Sequence, residues 1–150
     1  MIEAENLIDN QDKEMPSLNH SYICVQIMRQ LLQNEELLPL PELTLDIENG
    51  LTPDISVFKK NQIQPNFLDD VLKFERPPIV AIEIISSSQS IQSILNKSKV
   101  LVDAGIKAVW VIEPYGRSIF VVTATGGKVF HEEAVESEGI KVDFSQVFRI

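Results

Sequence analysis

One acidic residue of the sequence stands where charge is normally excluded. Glu83 interrupts the segment 79–85, whose other members are all valine, alanine or isoleucine. A strand that is apolar on both faces is normally buried, and an unpaired ionised carboxylate is costly there. Glu83 must therefore have a raised pKa, bind a cation or face a cleft. Each of these outcomes requires a partner and favours a functional role.

Asp54 is the natural partner for Glu83. It follows Pro53 and opens the segment 53–58, which predicts a strand lying beside the strand of Glu83. Two carboxylates at the ends of neighbouring strands can together bind a hard divalent cation, with backbone carbonyls and waters completing its shell. The pair therefore indicates a metal site.

Lys97 supplies a third charged group. The helix predicted after Glu83 has a core-facing apolar stripe, and Lys97 lies at the border of that stripe, so its long stem can reach back to the strand end. An ammonium close to two carboxylates and a metal can orient an attacking water or stabilise charge that develops on a phosphate. Together the three side chains predict phosphodiester hydrolysis.

Each of these residues also has an ordinary structural interpretation. Asp54 after a proline is compatible with a turn acid, and Lys97 on a helix flank with a solvated charge. His20 and His131 are isolated, and His20, near a helix start, is interpreted as a polar surface residue. The sequence contains no zinc-binding spacing of His or Cys, no phosphate-binding glycine loop and no nucleophile elbow.

The first elements that must position these residues are a helix and a hairpin. Ser17 predicts an N-cap, and apolar residues at spacing four predict an amphipathic helix over residues 18–33. Period-two alternation over residues 43–47 predicts a strand, and Asn49-Gly50 predicts a turn. The segment 53–58 then returns as the second strand of the hairpin.

The next elements lead to and from Glu83. Residues 59–78 predict a long excursion with a short helical turn near 67–72, and residues 79–85 predict a central strand. The serine-rich turn 86–90 begins a helix that runs to Ala104.

A parallel crossover and several short strands complete the pattern. Gly105 ends the helix, and residues 107–113 predict a second buried strand, so the strand–helix–strand unit predicts a right-handed parallel crossover. Shorter strands are predicted at 117–123, 128–132 and 140–143. The fold class is α/β (α+β), a mixed β-sheet flanked by helices.

Length and composition predict the domain organisation and the cellular location of the protein. The chain of 150 residues predicts a loose acidic arm over 1–16 and one domain over 17–150. No apolar run is long enough to span a membrane, and the acidic start and the lone Cys24, interpreted as a packing residue, predict a cytoplasmic protein.

The net charge of −9 is an objection to nucleic-acid binding, because proteins that hold a phosphate backbone usually do so with Lys and Arg. The distribution of charge along the chain weakens this objection. Residues 1–76 carry 6 basic and 14 acidic side chains, a balance of −8, whereas residues 77–150 carry 7 and 8, a balance of −1. The excess acid therefore lies mostly outside the half that holds Glu83 and Lys97.

The order and spacing of four segments resemble one nuclease family. These segments are Pro53-Asp54-Ile55-Ser56-Val57, Ile82-Glu83-Ile84-Ile85-Ser86-Ser87-Ser88, Lys97 with Ala104-Gly105-Ile106, and Trp110-Val111-Ile112-Glu113-Pro114. From about Ser17 onward the chain resembles the Uma-two family of restriction endonucleases, which belongs to the PD-(D/E)XK nuclease superfamily.

The resemblance implies a restriction-endonuclease-like core in which Asp54 and Glu83 hold Mg²⁺, or alternatively Mn²⁺, with the Ile84 carbonyl as a further ligand. Ile85 stands where the superfamily pattern has a lysine, and in this family's pattern the lysine comes from the next helix, as Lys97. Further departures from the family pattern stand at Ser86-Ser87-Ser88, Ser93 and Leu101.

Two hypotheses of different classes follow. The first is a Mg²⁺-dependent endonuclease that hydrolyses phosphodiester bonds in DNA, with Asp54 and Glu83 on the metal and Lys97 positioning the water or the phosphate. The alternative is a catalytically weak or inactive nuclease-fold protein that acts as an interaction module, which the acidity and the motif departures favour. A cation-binding regulatory protein is a third hypothesis. The resemblance also implies that the protein forms a homodimer.

Overall fold

A computed structural model describes residues 17–150, so the acidic arm predicted over 1–16 lies outside the described residues. The α-helices are α1 (Leu18–Leu31), α2 (Ile91–Asp103) and α3 (Phe144–Val147), and a 3₁₀ helix spans Lys60–Gln62. The strands are β1 (Leu37–Pro41), β2 (Ile55–Lys59), β3 (Val80–Ile84), β4 (Ala108–Glu113), β5 (Ser118–Thr123), β6 (Gly126–His131), β7 (Ala134–Ser137) and β8 (Ile140–Asp143).

Strands β1 to β6 form one sheet in the order in which they occur along the chain. The β3–β4 pair is parallel and is connected through α2, whereas the other pairs of this sheet are antiparallel. Strands β7 and β8 form a separate two-stranded sheet. The predicted mixed sheet flanked by helices, and the predicted parallel crossover, are confirmed.

Two apolar cores lie on opposite faces of the large sheet. Every residue of β3 is buried, and alternate residues point to opposite faces, with Ile82 in the core that includes the α1 residues. Ala81 and Ile85 belong to the other core, which includes residues of α2. By the same alternation Glu83 points to the α2 face. The central position predicted for this strand is confirmed.

Helix α1 begins as its sequence predicts. The Ser17 hydroxyl accepts the N–H of His20 at 3.2 Å, which satisfies one of the free donors of the first turn. Ile23, Ile27 and Leu31 are buried at spacing four and pack against the sheet. The helix predicted over 18–33 is confirmed, with its end at Leu31.

The predicted hairpin is wrong in one strand. The strand that pairs with β2 is β1, and residues 43–47 make only isolated bridges through Leu45. Pro39 and Pro41 disfavour a strand, but they are two residues apart, so their missing N–H groups lie on the same side of the strand. Because β1 is at the edge of the sheet, that side needs no partner strand.

The excursion between β2 and β3 packs partly against the sheet and partly faces solvent. Phe74 stacks edge-on against buried Phe58, with 5.3 Å between ring centroids. The helical turn predicted near 67–72 is wrong, because this segment contains turns and bends. Its apolar side chains find no core position: Phe67, Leu68 and Leu72 are almost fully exposed.

The chain end contains a strand that the sequence pattern did not predict. Strand β7 pairs with β8 through a turn in which Glu138 and Gly139 both have positive φ, at 53° and 81°. Asn-Gly or Asp-Gly is the usual signal for such a turn, so glutamate at its first position obscured it. The β7 residue Ser137 accepts the indole N–H of fully buried Trp110 at 2.8 Å.

Among residues 17–150, no helix is both long enough and apolar enough to cross a membrane.

Candidate functional site

Glu83 is a buried carboxylate with a lysine at one oxygen and a backbone N–H at the other. Its residue exposure is 4%, and the Lys97 Nζ lies 2.6 Å from its Oε2. Its Oε1 accepts the backbone N–H of Asp54 at 3.2 Å. Within the described part of the chain no other polar group satisfies Oε2. The cost of burying this charge is therefore offset mainly by Lys97.

Asp54 immediately precedes β2 and lies beside the end of β3. Its Oδ2 accepts the backbone N–H of Ile84 at 2.7 Å. Each carboxylate thus accepts a backbone N–H from the segment that carries the other, which fixes Asp54 and Glu83 against one another. The neighbouring strands predicted for the two residues are confirmed, because β2 pairs with β3 in the register Ile55 to Ile82.

Lys97 reaches the same place from α2. Besides contacting Glu83, its Nζ donates a hydrogen bond to the Thr52 carbonyl at 3.3 Å, and its side chain is 20% exposed. The next residue, Ser98, is fully buried against the sheet, so Lys97 stands at the border of the buried helix face. The sequence predicted this border position.

His20 is the site residue that sequence reasoning missed. It was interpreted as a polar surface residue, but its side chain is only 12% exposed and its Nε2 lies 3.1 Å from Asp54 Oδ1. A signal was present: His20 precedes Ile23 by three, Ile27 by seven and Leu31 by eleven residues, which continues the buried stripe of α1. His131 lies elsewhere, on β6, with its Nδ1 3.1 Å from the Ser118 hydroxyl.

Burial and neighbouring charges shift three pKa values. Burial raises the pKa of Glu83 from 4.5 to about 7, the Lys97 ammonium opposes that shift, and the Asp54 carboxylate adds to it. The hydrogen bond to Asp54 raises the pKa of His20 above 6.5, against the effect of burial. Burial also raises the pKa of Cys24 to about 12, so this thiol is protonated and packs as an apolar side chain.

The donor atoms at this site fit a hard divalent cation. Two backbone hydrogen bonds hold the carboxylates of Asp54 and Glu83 together there, and within the described part of the chain Lys97 is the only polar side chain that contacts Glu83 Oε2. Mg²⁺ favours oxygen ligands and keeps several waters, so one or two carboxylates suffice to hold it. Across residues 17–150, no three His, Cys, Asp or Glu side chains form a metal-holding group. A metal at this site would therefore depend on the two carboxylates, backbone oxygen and water.

This chain shares its fold with a protein of solved structure. A protein from Anabaena variabilis ATCC 29413, described as "a putative nuclease belonging to DUF820", is 23% identical. The likeness has a TM-score of 0.75 and covers 89% of this chain and 82% of that one. One chain of a DrdV–DNA complex is 9% identical, with a TM-score of 0.42, over 83% of this chain and 12% of that chain. The second likeness is too weak to support a conclusion.

No protein of curated function matches the chain. The family model for Uma2, described as "Putative restriction endonuclease", matches residues 5–148. This match spans nearly the whole chain and agrees with the likeness to the DUF820 nuclease structure. The resemblance argued from the residues is therefore confirmed, and the chain belongs to the Uma2 family.

Proposed function

We propose that the protein is a metal-dependent endonuclease that hydrolyses phosphodiester bonds in DNA. The observation that carries the proposal is the connected arrangement of Asp54, Glu83 and Lys97, joined by two backbone hydrogen bonds and one ion pair. A buried glutamate with a raised pKa and a lysine partner is an arrangement that functional sites often show. Membership of the Uma2 family supports the same reaction class.

Asp54 and Glu83 would hold Mg²⁺ or Mn²⁺ through carboxylate oxygens, with the Ile84 carbonyl as a further ligand. When bound, the cation would neutralise phosphate charge and make a water a stronger nucleophile. Asp54, whose side chain is 22% exposed, gives the site its access to solvent, whereas Glu83 is closed off behind it. The backbone N–H bonds hold both carboxylates in place before substrate arrives, which lowers the cost of ordering them during the reaction.

Lys97 would position the attacking water or the scissile phosphate. Its ammonium contacts buried Glu83 and is itself one-fifth exposed, so it can meet a phosphate from the solvent side without leaving the carboxylate. A fixed positive charge at that point stabilises negative charge that develops on the phosphate oxygens. This role requires no lysine two residues after Glu83, where Ile85 stands.

Cleavage of supercoiled plasmid and of structured DNA tests the reaction class. With Mg²⁺ or Mn²⁺ the purified protein should convert supercoiled plasmid to nicked or linear forms, and excess EDTA should stop the conversion. Cleavage that continues in EDTA would contradict a metal-dependent reaction. Absence of cleavage under every metal condition would favour the alternative function instead.

The alternative, an interaction module, is favoured by one surface feature. We define the apolar loop as residues 66–72. Within it Phe67 is 96% exposed and Leu68 is 99% exposed, and Leu72 is exposed at 85%. Large apolar side chains grouped in this way usually mark an interaction surface. Asp69 and Asp70 lie in the same loop, which disfavours a phosphate backbone as its partner.

A second copy of this chain is the partner that the apolar loop fits. The loop forms one wall of a cleft of about 390 Å³, and apolar side chains of Leu40, Leu43, Ile63 and Phe74 line much of the rest of it. A projecting apolar group next to an apolar cleft is self-complementary, as a two-fold symmetric interface requires. Asp69, Asp70, Lys73 and Arg76 are exposed on the same stretch of chain, so both signs of charge are available to pair across such an interface.

Sedimentation velocity over a range of concentrations tests the dimer. The double variant Phe67→Ser/Leu68→Ser should weaken association by about 10³-fold, because the dimer loses four side chains, each of which would bury apolar area worth about 1 kcal/mol. Tyr115→Ser, which changes another highly exposed aromatic residue, in the turn between β4 and β5, should associate like the parent. A parent protein that stays monomeric at every concentration would rule out this interface.

We also propose that the protein acts in the cytoplasm. Cys24 is a free cysteine, half-buried against the core, and the chain has no other cysteine. A single protonated thiol of this kind suits a reducing compartment.

A further inference from the structure

We infer that His20 is a positioning residue of the proposed metal site, which holds the Asp54 carboxylate in the orientation that a divalent cation requires. The inference rests on the proposed function and adds a residue from α1, an element that neither the sequence motifs nor the three predicted site residues include. His20 acts through Asp54 and touches no reacting atom.

The carboxylate of Asp54 has one donor for each oxygen. The Ile84 N–H donates to Oδ2 at 2.7 Å, and His20 Nε2 lies 3.1 Å from Oδ1. One hydrogen bond alone leaves a carboxylate free to swing about its side-chain torsions, whereas a donor on each oxygen fixes both its position and the plane of its oxygens. Since Asp54 is partly exposed, water would otherwise compete for Oδ1.

The imidazole can do this because its own position is fixed. His20 lies in the first turn of α1, where its backbone N–H is held by the Ser17 hydroxyl. The same helix is anchored to the sheet by Ile23 and Ile27, which are 4% and 0% exposed. A donor on a packed, capped helix loses little further conformational entropy when it binds the carboxylate.

A positioning role fits better than direct ligation of the metal. If Nε2 donates its proton to Asp54, that nitrogen has no lone pair left for a cation. Mg²⁺ also prefers oxygen ligands to imidazole. In the described part of the chain His20, Asp54 and Glu83 do not form a metal-holding group of three. Partners that orient metal ligands commonly change metal affinity when they are replaced.

Isothermal titration with Mn²⁺ tests the inference without relying on DNA cleavage. His20→Leu removes the donor, whereas His20→Gln keeps an amide N–H that can reach Asp54. His131→Leu is the matched control, because it removes the other histidine, on β6. We expect His20→Leu to weaken Mn²⁺ binding by about 10- to 100-fold, with His20→Gln close to the parent and His131→Leu unchanged.

The outcomes separate this inference from the proposed function. Parental affinity in His20→Leu would overturn the positioning role while leaving the metal site in place. Equal weakening in His20→Leu and His20→Gln, or nitrogen coupling from His20 in the electron spin echo of bound Mn²⁺, would also overturn it, because both indicate direct ligation. A parent protein that binds no Mn²⁺ would overturn the proposed function and this inference together. The positioning role is supported if His20→Leu weakens Mn²⁺ binding and His20→Gln binds Mn²⁺ with nearly parental affinity.

Discussion

Replacing Glu83 by glutamine is expected to make the metal-free protein harder to unfold in alkaline solution. In the unfolded chain Glu83 releases its proton near pH 4.5, whereas burial in the folded protein raises its pKa to about 7. Between these values the folded state binds more protons than the unfolded state, so the free energy of unfolding falls as pH rises. Above pH 7 the parent has lost all of this free energy of unfolding. The Glu83→Gln variant does not lose it, because glutamine has no proton to release.

The expected gain in the free energy of unfolding is about 3 kcal/mol at pH 8.5, since each unit of pKa shift corresponds to about 1.4 kcal/mol. Glu83 is buried, so solvent does not screen this effect. Lys97 loses its partner in the variant, but its side chain is 20% exposed and can reach water. Below pH 4.5 the two proteins should differ little, because Glu83 is then protonated in both states.

Urea unfolding between pH 4 and 9, with EDTA present, measures this difference. Glu132→Gln is the control, because Glu132 is 46% exposed in a surface ion pair with Arg117 and should leave the pH profile of the parent unchanged. His20 also stabilises the folded state less as pH rises above 6.5, its ordinary pKa. It is present in all three proteins, and Glu83 is the smallest of the charges that raise its pKa. If the free energy of unfolding depends on pH in the same way in the parent and in Glu83→Gln, the pKa of Glu83 is not raised by folding and the prediction is wrong.

Replacing Lys97 by methionine is expected to lower Mg²⁺-supported DNA cleavage by about 10²- to 10³-fold. The substitution removes the positive charge proposed to meet the phosphate. It also removes the ammonium that opposes the rise in the pKa of Glu83, so a larger fraction of Glu83 is protonated near neutral pH. Methionine keeps most of the apolar stem, so the packing of α2 against the sheet should change little.

Lys99→Met is the matched control for this substitution. Lys99 lies two residues further along the same helix and is exposed, so its loss should leave cleavage near the parental rate. Single-turnover rates measured from pH 6 to 9 also separate the two effects of Lys97. A rate in Lys97→Met that recovers partly at high pH indicates protonation of Glu83, and the deficit that persists indicates the missing charge. Parental rates in Lys97→Met would exclude a role for this lysine.

The site residues differ in how far the sequence alone could predict them. Glu83 was identified because its apolar neighbours are adjacent in the chain, so the anomaly is local. Asp54 required only the pairing of two neighbouring strands, β2 and β3. His20 lies 34 residues before Asp54, and nothing near either residue indicates that α1 meets the start of β2. Its position on the buried stripe was the one available signal.

The fold could be predicted from the sequence where the apolar periodicity was strong. The prediction failed where two segments compete as the pairing partner of one strand. Helices α1 and α2 and the buried strands β3 and β4 follow directly from their apolar patterns. Residues 43–47 alternate like a strand, but Leu45 alone is buried there and makes only isolated bridges. The prolines of β1 hid the true partner of β2, because strand propensity does not reveal which strand will lie at an edge.

Glu83→Ala provides the most direct test of the central claim, that Asp54, Glu83 and Lys97 form a metal-dependent nuclease site. The measurement is the rate of plasmid cleavage with Mg²⁺ or Mn²⁺ by the parent and by this variant, purified in parallel. If the three residues form such a site, the parent cleaves the plasmid and Glu83→Ala shows no cleavage above background, with both proteins folded by circular dichroism. Cleavage that survives the substitution would contradict the claim, because the activity would then belong to another site or to a contaminant.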